Sequence, residues 1–341
     1  MKTSYVNSQI CHRIRVMICV TTIACGVSQA FAQQPSRLPS RSGIPAHAAQ
    51  PAAQTAASRA KSQNSPLYTF TFGLIDYPRS QVSVLCGIND TGRMVGGYNN
   101  TNLDEFLANN GFELKGNTFS TIDYPGAQQT EVEAINKGGE MVGDFLDASG
   151  NQHGFKLAGG TYTQLDFPGT TTGTVPLGIN SYGEIVGIYD NPNQTGFLLS
   201  GGTYTSIAVP GAALTYTEGI NKYGVIAGYY LDTSGNSHGF TWDKGTITTI
   251  DYGGGYPNTY LAGIDDSGLI VGGYGSWITI GSLTYPWEYG FLYSGGTFST
   301  FEAPFGDVVI TSPFGMNNNG EVVGEYVDSQ GMNYGFYLKA Q

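Results

Sequence analysis

From residue 66 onward, apolar and polar positions alternate in short runs, and Gly, Asn, Asp or Pro punctuates them. That is the period of half-buried strands, and no stretch sustains the 3.6-residue period of an amphipathic helix. One phrase recurs six times. It opens with Gly87-Ile88-Asn89, Ala134-Ile135-Asn136, Gly178-Ile179-Asn180, Gly219-Ile220-Asn221, Gly263-Ile264-Asp265 and Gly315-Met316-Asn317, each with a Gly three residues further on. The spacings are 47, 44, 41, 44 and 52 residues, a repeat of about 46. A period of that size is the mark of a repeat architecture.

Each opening leads into an apolar pair and a Gly, as in Met94-Val95-Gly96, Ile185-Val186-Gly187 and Val322-Val323-Gly324. Between them, Asn tolerates and Gly supplies a positive φ, so the first two strands of a repeat form a tight hairpin. A third run contains Gly-Phe, from Gly111-Phe112 to Gly335-Phe336, and a fourth alternates, as in Thr161-Tyr162-Thr163-Gln164-Leu165-Asp166. Four short strands per repeat predict an all-β chain, a six-bladed β-propeller over residues 66–341. The sixth repeat reaches Gln341 without a fourth strand. Thr71-Phe72-Gly73-Leu74-Ile75-Asp76-Tyr77-Pro78 matches Thr118-Phe119-Ser120-Thr121-Ile122-Asp123-Tyr124-Pro125, so an N-terminal strand is expected to complete the last blade and remove a bare sheet edge. An open solenoid is the alternative, but it leaves that strand without a use.

Over residues 67–341 the phrase resembles the extracellular repeats named after a His-Ala-Phe tripeptide, which occur in exported bacterial proteins and have no settled activity. The tripeptide departs in one consistent way, with Gly for Ala in His153-Gly154-Phe155 and His238-Gly239-Phe240. The resemblance implies secretion and repeat architecture and supplies no catalytic residues.

The N-terminal third of the charge pattern changes the picture. Residues 1–32 carry a basic start (Lys2, Arg13, Arg15), an apolar stretch from Val16 to Val27, and Ala30-Phe31-Ala32, the layout of a cleaved secretory signal. The apolar stretch falls short of the roughly 20 residues of a spanning helix, so no transmembrane segment is expected after cleavage. Cys25, preceded by Ala24, leaves lipidation open. Residues 33–65, rich in Ala, Gln, Ser and Pro, read as a disordered tether. A secreted or periplasmic location follows. Cys86 is the one cysteine beyond the signal, so no intramolecular disulfide is available. From residue 66 on, 8 Lys and Arg face 26 Asp and Glu, a net charge of −18, which excludes nucleic acid as a natural partner.

In a propeller the connections from second to third strand and from fourth to the next first strand share one face, and here these are the ones that differ between repeats. The varied face is the expected binding face. Its largest departure, Gly273 to Tyr289 in the fifth repeat, holds Trp277, Tyr285, Trp287 and Tyr289. Such rings suit stacking on sugars or gripping a peptide; the bland reading is that they pack the insert down. Glu133 and Glu218, with Glu131 nearby, stand beside the channel at equivalent positions. They are the nearest approach to a catalytic pair, with a solvated acidic lining as the plainer reading. His153 and His238 share one repeat position, which points to a structural contact. The Asp147–Asn151 and Asp232–Asn236 turns lack the dense carboxylates of a calcium loop. No catalytic motif, cofactor fingerprint or metal motif is present. The sequence therefore points to an extracellular binding or scaffold module for a glycan or protein, with a polysaccharide-active enzyme using channel carboxylates or Tyr as the alternative.

Overall fold

The computed structural model describes residues 57–58, 68–80, 82–99, 108–170, 173–191, 193–280, 283–306, 308–329 and 332–340; for 57–58, 191, 277–280 and 283–287 it describes the backbone alone. The expected signal, 1–32, and the tether except for 57–58 lie outside these residues.

Twenty-five strands and no helix make up the described chain. Two precede the repeats: β1 (Ala57–Ser58) and β2 (Phe70–Leu74). The first repeat holds β3 (Val82–Ile88), β4 (Met94–Asn99), β5 (Asn110–Lys115) and β6 (Thr118–Ile122). The second holds β7 (Gln129–Ile135), β8 (Met141–Leu146), β9 (Gln152–Ala158) and β10 (Thr161–Leu165). The third holds β11 (Thr174–Ile179), β12 (Ile185–Asn191), β13 (Asn193–Ser200) and β14 (Thr203–Ile207), and the fourth β15 (Leu214–Ile220), β16 (Ile226–Leu231), β17 (Ser237–Asp243) and β18 (Thr246–Ile250). In the fifth are β19 (Asn258–Ile264), β20 (Ile270–Ile280), β21 (Leu283–Ser294) and β22 (Thr297–Phe301), and in the sixth β23 (Val308–Met316), β24 (Glu321–Asp328) and β25 (Asn333–Ala340).

Each of the first four repeats is a separate four-stranded antiparallel sheet. The fifth and sixth share a nine-stranded sheet, because one parallel pair, Glu288 with Ile310, joins β21 to β23. β2 pairs antiparallel with β25, Leu74 opposite Phe336, and supplies the strand that the sixth repeat lacks. The arrangement is propeller-like, with the first strands of all six repeats around one central cavity. The core is repetitive: the Gly-Phe rings Phe112, Phe155, Phe197, Phe240, Phe291 and Phe336 are all fully buried.

The recurring glycines answer to a bulge. All six first strands skip register at the same place, β23 a second time nearer its start, and the residue left over at the shared place is Cys86, Glu133, Leu177, Glu218, Ala262 or Phe314. A bulge bends its strand and re-aims a side chain, and these six line the cavity. The bend also pushes a carbonyl against the second strand. A Cβ on Gly96, Gly143, Gly187, Gly228, Gly272 or Gly324 would lie 1.9–2.2 Å from that oxygen, which explains the Gly after the apolar pair.

The Asn of the phrase does two jobs. Its Oδ1 accepts backbone N–H groups of its own turn, as Asn180 does from Tyr182 (3.0 Å) and Glu184 (3.0 Å). Its Nδ2 donates to the backbone carbonyl of the same residue in the next repeat: Asn89 to Asn136 (3.0 Å), Asn136 to Asn180 (3.1 Å), Asn180 to Asn221 (3.0 Å) and Asn221 to Asp265 (3.2 Å). Asn317 then donates to Asn89 (3.0 Å), from the last repeat to the first. Asp265 has no N–H to give, and the step to the sixth repeat is made by the Asp266 N–H donating to Asn318 Oδ1 (2.8 Å). At the opposite end, one hydroxyl per repeat accepts an N–H from the chain arriving out of the previous fourth strand. These are Ser83, Thr130, Thr174, Thr215, Thr259 and Thr311, at 2.9–3.1 Å.

Candidate functional site

At the end of the channel bearing the hairpin turns, neighbouring first strands approach one another closely. A Cβ on Gly219 would lie 2.8 Å from the Cα of Gly263, and one on Gly315 would lie 2.7 Å from the Cys86 carbonyl oxygen. Between these strands is a cavity of about 70 Å³ lined by the bulge residues and their neighbours. The other end of the channel, its mouth, carries the longer connections.

At that mouth the facing pairs of first and second strand differ from repeat to repeat. They are Val84 with Gly97, Glu131 with Asp144, Val175 with Ile188, Tyr216 with Tyr229, Tyr260 with Gly273, and Ser312 with Glu325. One side is apolar and aromatic: Val175, Leu177, Ile188, Tyr216 and Tyr229 form one buried cluster, with the two tyrosine rings stacked at 4.7 Å. The other side is acidic. Tyr260 donates a hydrogen bond to Glu288, which stands at the foot of the β20–β21 ribbon opposite Gly275. Glu325 accepts from Asn333 Nδ2 (3.2 Å), Asp144 accepts from Gln152 Nε2 (2.7 Å), and Cys86 Sγ lies 3.8 Å from Glu131 Oε1.

Burial shapes the titration of this side. It pushes the Glu288 carboxyl up to about 7, against hydrogen bonds from Tyr260 and Ser312 that work to lower it. It pushes Glu325 up to about 8, with the charges of Glu288 and Glu131 acting in the same direction. Burial and the Glu288 carboxylate hold the Tyr260 phenol well above its usual value. Like charges packed in a dry site favour the neutral acid or a bound cation.

Glu133 and Glu218 do stand at equivalent positions, on the bulges of the second and fourth repeats with Leu177 between them. Their expected role as a solvated acidic lining needs correction: they are 0% and 3% exposed, because the bulge turns them into the central cavity. In the fifth repeat, the long departure is a two-stranded ribbon in continuous register from Ile270 opposite Tyr293 to Ile280 opposite Leu283. Backbone pairing sets Trp277 opposite Pro286, Tyr285 opposite Ile278 and Trp287 opposite Ser276; their side chains lie outside the described residues. The Tyr289 ring packs in the core, 5.4 Å from Tyr274 and 6.5 Å from Tyr256. That is the packing role, not an exposed platform.

His153 and His238 make the same contacts. Nδ1 faces an aspartate at the end of the fourth strand, Asp166 (3.1 Å) or Asp251 (2.8 Å), and Nε2 faces the turn aspartate, Asp147 (3.6 Å) or Asp232 (3.5 Å). Each bridges two connections within its own sheet. The turn aspartates are committed too: Asp147 Oδ2 accepts from Asn151 Nδ2 and Oδ1 from the N–H groups of Asn151 and Ser149, all at 2.8 Å, and these bonds hold its carboxyl at about 2.

Sequence reasoning missed Asp144, Tyr260, Glu288, Ser312 and Glu325. The usable signal was the residue after the second-strand Gly, which runs Gly97, Asp144, Ile188, Tyr229, Gly273 and Glu325 and varies between two regular positions of the strand.

No known family model matches the chain, and no curated protein matches it in sequence. Several solved structures are similar in shape. A gluconolactonase from Xanthomonas campestris aligns with a TM-score of 0.49 at 10% identity, covering 88% of this chain and 99% of that one. The β-propeller domain of a protease from Pyrococcus furiosus gives 0.48 at 9% identity, with 83% and 91% covered. The six-bladed, fucose-recognising lectin of Aleuria aurantia gives 0.43 at 11%, with 76% and 91% covered. At these scores the likenesses carry no argument about ligand or chemistry. Among the described residues no helix is long and apolar enough to cross a membrane.

Proposed function

We propose that this chain is a secreted six-bladed β-propeller that binds an extracellular glycan, or a protein presenting comparable hydroxyl and apolar faces, at the end of its channel that carries the longer connections. One observation carries the reading: the two ends of the same six strands are treated oppositely. At the hairpin end five of the six repeats keep the same Asn, whose side-chain amide donates to the backbone carbonyl of the equivalent residue in the next repeat. At the mouth every repeat has a different pair. Uniform positions answer to the scaffold, and positions that change while the scaffold stays the same answer to what the scaffold holds. The mouth sets carboxylates and the Tyr260 hydroxyl against an apolar, aromatic wall, which matches a sugar, polar at its edge and apolar on its face. The β20–β21 ribbon, with Trp277 and Trp287, rises beside it. The propeller reading is supported by the β2–β25 pair and by the Asn317–Asn89 bond, which join the ends of the repeat series.

Tyr260 bonded to Glu288 favours a second reading, a polysaccharide-active enzyme in which the partly buried phenol and the raised carboxyl serve as the proton-transfer pair. A titration against a polysaccharide panel, followed by Trp fluorescence with reducing ends assayed in the same wells, separates the two. A saturable shift without new ends is expected, and it should vanish in Trp277→Ala with Trp287→Ala while the melting temperature holds. New ends, lost in Glu288→Gln, would establish the enzyme instead. A flat response to the whole panel would overturn the glycan reading.

A further inference from the structure

On the acidic side of the channel, side chains from the first and second repeats meet, and ring closure sets the sixth repeat beside them. Cys86 comes from the bulge of β3, Glu133 from the bulge of β7, and Glu131 from two residues earlier on β7. One ligand atom from each lies within 4.8 Å of the other two. A cation held 2.0–2.3 Å from oxygen and sulfur ligands spaces them by about 3.3–4.6 Å, so the cluster has the size of a coordination shell. The scaffold makes room for it. Gly97 faces Glu131 across the first and second repeats, and a Cβ there would come within 3.3 Å of Glu131 Oε1. The cavity behind Cys86 and Glu133 is several times the volume that one water or ion occupies.

A second, independent observation comes from the sixth repeat. Glu325 is fully buried on β24, which packs against β3. Its Oε1 has no hydrogen-bond partner among the described residues, while Oε2 accepts from Asn333. A dry, unmatched carboxylate oxygen is costly, and no Lys or Arg is among the groups acting on this one: they are burial, Glu288, Glu131 and Asn333.

We propose that Cys86, Glu131 and Glu133, with Glu325 beside them, form a binding site for one divalent cation that ties the first, second and sixth repeats together at the channel. A thiol among carboxylates selects an ion of borderline softness, so Zn²⁺ fits best and Ca²⁺ least. The site shares Glu131 and Glu325 with the mouth of the channel, but it does not depend on the glycan reading, because its test reads the cation alone. It escapes motif searches because its ligands have no common spacing, with Cys86 and Glu325 at opposite ends of the repeat series.

The test uses the full chain, stripped with a chelator and dialysed, then titrated with Zn²⁺, Mn²⁺ and Ca²⁺ by calorimetry and thermal melting. One Zn²⁺ per chain and a melting temperature that climbs with added Zn²⁺ are expected. Glu131→Gln and Cys86→Ser should each weaken Zn²⁺ at least tenfold, and Glu325→Gln serves if Glu131→Gln fails to fold. Co²⁺ reads the thiol directly: its thiolate charge-transfer absorption should appear in the native chain and vanish in Cys86→Ser. His153→Gln with His238→Gln should leave Zn²⁺ binding intact, since surface His–Asp pairs are the natural adventitious ligands. Failure of all three ions to bind or stabilise, or Zn²⁺ binding that survives Glu131→Gln but is lost in the His double variant, would overturn the site.

Discussion

Asp265→Asn should stabilise the protein. Five side-chain bonds run from one repeat to the next around the hairpin end, and the sixth is missing because the Asp265 side chain has no N–H to donate. An Asn there would present Nδ2 to the Asn317 carbonyl, the contact that its five counterparts make at 3.0–3.2 Å. A net intramolecular hydrogen bond contributes about 0.5–1.5 kcal/mol. Against it stands the loss of charge on Oδ1, which accepts from Ser267 N (2.8 Å), Ser267 Oγ (2.7 Å) and Leu269 N (2.9 Å). Asn180 Oδ1 accepts two such N–H groups without a charge, so that loss is small. The net gain is about 0.5–1 kcal/mol, a rise of about 1–4 °C in melting temperature for a domain of this size. The reverse change, Asn180→Asp, takes the donor from the Asn221 carbonyl, where a buried unmet acceptor costs about 1–3 kcal/mol. Differential scanning calorimetry at pH 7 on both variants decides the matter. If Asp265→Asn melts at or below the native temperature while Asn180→Asp is neutral, the inter-repeat bonds do not hold the ring together.

Three further changes probe other features. In chelated protein, Glu325→Gln should stabilise by on the order of 2 kcal/mol at pH 8 and little at pH 5: the native carboxyl, raised to about 8, binds a proton that the unfolded one releases, so stability falls as pH rises between the two values. Equal effects at both pH values, read from thermal melts, would contradict that. At His238, burial lowers the imidazole pKa but Asp251 and Asp232 outweigh it and raise it, so its stabilisation is full below about 6.5 and is lost as pH climbs through the native value. His238→Gln should flatten melting against pH between 5 and 8; an unchanged slope would remove the bridge from consideration. Gly187→Ala puts a Cβ 2.1 Å from the Val175 carbonyl oxygen and should cost about 3 kcal/mol or more, seen in urea denaturation as a lower midpoint.

The scaffold was legible because its causes recur. Asn-x-x-Gly turns, the apolar pair and the Gly-Phe run repeat often enough for the strands and their order to be counted, and the match of Thr71–Pro78 to Thr118–Pro125 anticipates the β2–β25 pair. The acidic side was not, because nothing in it recurs. Glu288 and Glu325 each occur once at their repeat position, and only ring closure brings the sixth repeat beside the first. The bulge was hidden for another reason: Cys86, Glu133, Leu177, Glu218, Ala262 and Phe314 share a backbone irregularity but no chemistry. The histidines, which do recur, were legible as structural contacts.

The pairing of β2 with β25 also bears on the order of events during synthesis. Asp76 Oδ1 accepts the N–H of Gly335, a contact spanning 259 residues. Closing so long a loop in an unfolded chain costs about 5 kcal/mol, against about 3 kcal/mol between neighbouring repeats. A growing chain can stack its middle sheets as they emerge, but it holds β2 unpaired until its last strand appears. Any product that stops short of β25 presents two bare sheet edges, and such edges invite proteases and self-association. The ring thereby marks a finished molecule by concealing what an unfinished one exposes.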